Sequence, residues 1–83
     1  MEIADEIRRI AEELVIDPSK FVVDIHLSLR GTQKVLVTID GDNGVTIDDC
    51  ADLSRELGKR LDESNLLKDS YVLEVSTPGL DQP

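Results

Sequence analysis

Five aspartates crowd the stretch from Asp40 to Asp52: Asp40, Asp42, Asp48, Asp49 and Asp52. Carboxylates in such a run could bind a cation, satisfy a helix end, or receive a basic partner. Asp40-Gly41-Asp42-Asn43-Gly44 suggests calcium first. An EF-hand loop needs oxygen ligands at positions 1, 3 and 5, glycine at 6 and glutamate at 12. With Gly44 at position 6, position 1 is Ile39, position 3 is Gly41 and position 12 is Cys50, so the loop fails. Gly41-Asp42-Asn43-Gly44 is also G-x-x-G, the loop with which KH domains clamp a nucleic-acid backbone. KH loops join two helices, whereas this one follows a strand, and Asp42 would repel phosphate. Cys50 and His26 could suggest a thiol catalyst. Cys50, however, falls on an apolar helix stripe and His26 on the wet side of a strand, so they point apart. No catalytic residue, metal, cofactor or small-molecule substrate is expected, and the chain does not read as an enzyme.

Two readings of the aspartates stay open. Asp48 and Asp49 can bond the N–H groups of a helix end and favour its dipole. The cluster can also be a landing site for a Lys/Arg-rich partner, which would relieve its mutual repulsion. The overall charge bears on this choice. Eighteen acidic and nine basic side chains give a formal net charge of −9 in 83 residues. Nucleic-acid and anionic-membrane binding draw largely on Lys and Arg, so the sign favours a basic protein. The single cysteine excludes an internal disulfide. No apolar run approaches the ~20 residues of a membrane span, and the N-terminus lacks a signal-peptide pattern. A cytoplasmic protein is expected.

The elements that must hold these residues follow from periodicity. Ile3, Ile7, Ile10 and Leu14, with Ala4 and Ala11, predict an amphipathic helix over residues 2–15 that Pro18 stops. Phe21, Val23, Ile25, Leu27 and Leu29 alternate with Val22, Asp24, His26, Ser28 and Arg30, which predicts a strand burying the first set. Gly31-Thr32-Gln33 turns the chain into a second strand that buries Val35, Val37 and Ile39. Thr46 reads as an N-cap, with Asp49 completing a capping box. The second helix is predicted from Ile47 to about Leu61, with a stripe of Ile47, Cys50, Ala51, Leu57 and Leu61 and with Leu53 on its flank. Ser54 and Gly58 would let it lie close on a sheet. Leu66 and Leu67 anchor a loop on the core. Tyr71, Leu73 and Val75 form a third strand, placed beside the first. The order α-β-β-α-β makes a two-layer α+β sandwich, with two helices on one face of a three-stranded sheet.

Three stretches carry a family resemblance: Phe21-Val22-Val23-Asp24, Gly44-Val45-Thr46-Ile47-Asp48-Asp49-Cys50, and Leu73-Glu74-Val75-Ser76-Thr77-Pro78-Gly79-Leu80-Asp81-Gln82-Pro83. In order and spacing they resemble the bacterial ribosome maturation factor family RimP, over nearly the whole chain. The resemblance implies a cytoplasmic, non-enzymatic factor that binds the free small ribosomal subunit and assists its late assembly. It further implies work near the basic decoding-region ribosomal protein and small-subunit rRNA. An RNA-binding KH-like module is the alternative, carried by Arg30, Lys34, Arg55 or Lys59. Gln82 departs from the family pattern, which has arginine there. Family members continue beyond this motif into an SH3-like barrel. Residues 1–76 are therefore expected to be one domain and residues 77–83 a linker stub, with Ser76, Thr77, Pro78, Gly79, Leu80 and Asp81 as its motif.

Overall fold

The computed structural model describes residues 2–28, 30–67 and 70–78. Helix α1 spans Ile3–Leu14, strand β1 Lys20–Ser28, strand β2 Gln33–Gly41, helix α2 Ile47–Ser64 and strand β3 Tyr71–Ser76. The α-β-β-α-β order and the two-layer α+β sandwich are as expected. Helix α1 packs on β1, α2 on β3, and the helices on each other. The expected inward residue Leu29 lies outside the described residues, as do Gly79, Leu80, Asp81, Gln82 and Pro83.

Between the layers lies an aliphatic core. Helix α1 contributes Ile7, Ile10 and Ala11, the stripe its periodicity predicts. From β2 come Val35, Val37 and Ile39, all at most 2% exposed. The β1–β2 connection uses Gly31 at φ 63°, in the left-handed region that glycine reaches without strain.

Strand β1 departs from strict alternation. Its pairing with β2 shifts register between Val22 and Asp24, which leaves Val23 as the extra residue of a β-bulge. The bulge reverses parity, so Val22 is buried while Phe21 and Val23, expected inside, are 47% and 44% exposed. Beyond it Ile25 and Leu27 return to the core side. Helix α1 fastens this irregular point, because Arg8 Nη2 donates to the Val22 carbonyl at 3.2 Å.

In α2 the buried residues are Leu53, Leu57 and Leu61, with Cys50 packed beside them. At 3.6 residues per turn, Ile47 and Ala51 fall roughly 80° and 120° from the centre of that stripe. Both are exposed, contrary to expectation, and Leu53 is central rather than flanking. The helix also runs three residues past Leu61, to Ser64, and ends at Asn65 with φ 57°, a left-handed conformation that asparagine tolerates. Gly58 faces Leu73, but a methyl there would meet Leu73 Cδ2 at 3.6 Å, an ordinary contact. Close approach therefore does not require glycine. Leu66 and Leu67 pack against the core as expected.

The third strand lies beside β2, not β1. The sheet order is β1-β2-β3, with β1–β2 antiparallel and β2–β3 parallel. Helix α2 is the crossover that returns the chain to the start of a parallel neighbour. It covers β3 while α1 covers β1, so each helix packs on one edge strand of the sheet.

Candidate functional site: an acid-rimmed groove

The N-terminus of α2 is built locally. The Thr46 N–H donates to Asp49 Oδ2 at 3.0 Å, and the Asp49 N–H donates to Thr46 Oγ1 at 3.1 Å, closing the predicted capping box. Val45, which precedes the cap, is fully buried. Sequence reasoning passed over it, although an apolar residue just before an N-cap is the mark of a hydrophobic staple.

The turn before it is closed from within. The Gly41 N–H donates to Asp40 Oδ1 at 2.8 Å, and the Gly44 N–H to the Gly41 carbonyl at 3.1 Å. The Asp42 N–H donates to the Ser19 carbonyl at 2.8 Å. Three of the amides that a phosphate clamp would offer are thus already engaged. A Cβ at Gly41 would sit 3.1 Å from the Gly44 carbonyl oxygen and 3.1 Å from Lys20 Cγ. With the Ser19 carbonyl oxygen 3.2 Å away as well, a side chain there would press on two backbone carbonyls and the Lys20 stem, each of which would have to give by a few tenths of an ångström.

Lys20 joins this region to the end of α1. Its ammonium lies 3.1 Å from Asp17 Oδ2 and 3.4 Å from Asp49 Oδ2. Asp17 accepts from the Ser19 N–H at 2.9 Å and from the Ser19 hydroxyl at 2.8 Å. Those bonds, with Lys20, hold its carboxyl down at about 2. The Thr46 N–H, then the Thr46 hydroxyl and Lys20, lower Asp49 against its partial desolvation. Lys20 is raised, chiefly by its bond to Asp17. For Cys50, burial and then the Asp49 charge raise the thiol, so the neutral form is favoured.

Between the end of α1 and the first half of α2 runs a groove of about 260 Å³. Leu14, Val15, Ile16, Ile39 and Leu53 supply its apolar lining, and Asp17, Asp49, Asp52 and Glu56 its carboxylates. The structure therefore brings together Asp49 and Asp52 of the five aspartates, and adds Asp17 and Glu56. Asp40 lies on the open face of the sheet, opposite Phe21. Asp42 is exposed in the turn, and Asp48 is exposed in the first turn of α2. Neither lines the groove. Asp17 could have been found from its place just past α1, and Glu56 from its i+4 spacing to Asp52.

The basic residues do not converge. Lys34 lies on the open face of the sheet, 3.9 Å from Glu74, and Arg55 on α2 lies 3.6 Å from Asp52. Arg8, Arg9, Lys20 and Arg60 also lie within 4 Å of carboxylates. Among the described residues, six of the eight Lys and Arg are thus ion-paired, which leaves little positive surface for phosphates. His26 is exposed, away from Cys50. Ser76 closes β3, with Thr77 and Pro78 following. Among the described residues no helix is long and apolar enough to cross a membrane.

Fold and surface together define a small acidic α+β domain with a carboxylate-rimmed groove between its helices. The family model of the RimP N-terminal domain matches residues 10–81, and the chain belongs to that family. It is 43% identical over 81 residues to the ribosome maturation factor RimP of Cytophaga hutchinsonii, covering 94% of this chain and 48% of that protein. Over 59 residues it is 48% identical to the protein of the same name in Nitratidesulfovibrio vulgaris, covering 71% of this chain and 34% of that protein. The chain thus spans less than half the length of these relatives.

Proposed function

We propose that this chain serves maturation of the small ribosomal subunit, as a domain that docks a basic ribosomal protein of the decoding region. One observation carries the reading: four carboxylates, three on α2 and Asp17 just past α1, outnumber the single cation Lys20 in one groove on a domain of net charge −9. Such a field raises the encounter rate with a cationic partner and disfavours phosphate. The name of the relatives, ribosome maturation factor, supplies the biological setting. The proposed contact set is Asp52 with Asp40, Asp42, Asp48 and Asp49, extended by Asp17 and Glu56. Residues 77–83, with the motif from Ser76 to Asp81, would link the domain to a second one.

The test is an amide NMR titration with the basic decoding-region protein at two salt concentrations. Shifts at Asp17, Asp48, Asp52 and Glu56 that weaken with salt are expected. The doubly reversed variant Asp52→Lys/Glu56→Lys should lose them. Asp49 is unsuited to reversal because it caps α2 and pairs with Lys20. Shifts that come only with small-subunit rRNA fragments would replace this reading with direct RNA binding. Silence with both partners would leave the domain without a docking role.

A further inference from the structure

The groove is more than an acidic patch. Its floor is aliphatic, and Ile16 at its rim is 88% exposed, the most exposed large apolar residue among those described. Among the described residues it does not join the core. The volume, about 260 Å³, is just below the range of small-molecule pockets, so it suits one or two side chains. Along α2, Asp49, Asp52, Leu53 and Glu56 follow i, i+3, i+4, i+7 spacing. An apolar residue is therefore set among carboxylates on one helix stripe. The Asp52 side chain is 70% exposed and its partner Arg55 73%, so an incoming cation can displace that pair at little cost.

Resting on the docking function proposed above, we infer that the groove takes a short peptide segment carrying an aliphatic side chain flanked by lysine or arginine. A uniformly basic tail would satisfy the rim and leave the floor and Ile16 in water. An aliphatic residue covers them while its cationic neighbours meet Asp52 and Glu56, since Lys20 already holds Asp17 and Asp49. The groove thereby discriminates among basic segments by an apolar contact, where charge alone would accept all of them.

Two labelled peptides test this, equal in length and lysine count, one with a central leucine and one with serine in its place. Each is titrated by fluorescence anisotropy into wild type, Ile16→Ser and Asp52→Lys/Glu56→Lys. The leucine peptide should bind about tenfold tighter to wild type, the scale expected for burying one aliphatic side chain. Ile16→Ser should remove most of that preference and leave the serine peptide unchanged; its exposed position makes misfolding no obstacle. The double reversal should weaken both peptides. Equal binding of both peptides to wild type, weakened by the reversal, would overturn the inference while the docking function stands. A leucine preference that survives Ile16→Ser would overturn it too, by placing the apolar contact elsewhere. Indifference of both peptides to the reversal, or no binding at all, would remove this groove as the docking site.

Discussion

Tyr71 shows how one residue couples β3 to α2. It is the chain's only tyrosine. Its hydroxyl donates to Asp62 Oδ1 at 2.9 Å, with the Gly58 carbonyl a second acceptor at 3.3 Å. Burial first, then the bond to Asp62 and its charge, push the phenol from 10.0 up to about 12. The folded state thus favours the protonated form. The stabilisation is complete below about pH 10, where the unfolded chain's tyrosine would ionise, and is lost as pH rises through about 12. An ultraviolet titration reads this directly, because no second tyrosine overlaps the phenolate signal. A midpoint near 12 is expected for wild type, and a lower one for Asp62→Asn, which removes the carboxylate charge. A wild-type midpoint near 10 would show that neither the burial of the phenol nor its bond to Asp62 holds in solution.

At the scale of elements, the bulge in β1 decides which residues matter. Val22 is 6% exposed and Val23 44%. Val22→Ala should cost about 2 kcal/mol, from lost burial and the space left behind. Val23→Ala should stay within about 0.5 kcal/mol. Denaturant unfolding of the two variants checks this, and a larger loss at Val23 than at Val22 would mean that the strand alternates regularly after all. A plain alternation rule predicts the reverse ranking, which locates the limit of what the sequence discloses. Helix α1, the capping box at Thr46 and the regular strand β2 were legible because each rests on local chemistry: period, cap or turn. The bulge was not, because Phe21, Val22 and Val23 are all apolar and any of them could face inward. Strand order was missed for a related reason. The alternation of Tyr71, Leu73 and Val75 says that a strand exists but not which neighbour it joins. The groove was half legible: Asp49 and Asp52 announce themselves beside a helix start. Glu56 follows from its i+4 spacing to Asp52 on the same helix, whereas Asp17 joins them only when the end of α1 packs beside α2.

For the whole molecule, charge sets the response to salt. A net charge of −9 is confined within a radius of gyration of 12.5 Å. The Debye length is about 10 Å at 0.1 M salt, so repulsion across the domain is strongly screened there. The ion pairs weakened at the same time are mostly exposed, each worth about 0–1 kcal/mol. Relief of repulsion should win, and the thermal midpoint should rise by a few degrees between roughly 0.01 and 0.2 M sodium chloride. A fall, followed by calorimetry, would show that the surface pairs contribute more than their exposure suggests. The bulge has a last consequence at this scale. Strand β1 is an edge of the sheet, nine residues long and carrying exposed Phe21 and Val23. A straight edge of that kind is a template on which a second copy could add its own strand, the first step toward aggregation. The shift at Val23 interrupts the row of hydrogen-bonding groups, Arg8 occupies the Val22 carbonyl, and Asp24 sets a charge beside the break. The irregularity that concealed a core residue also breaks the continuity of the exposed edge.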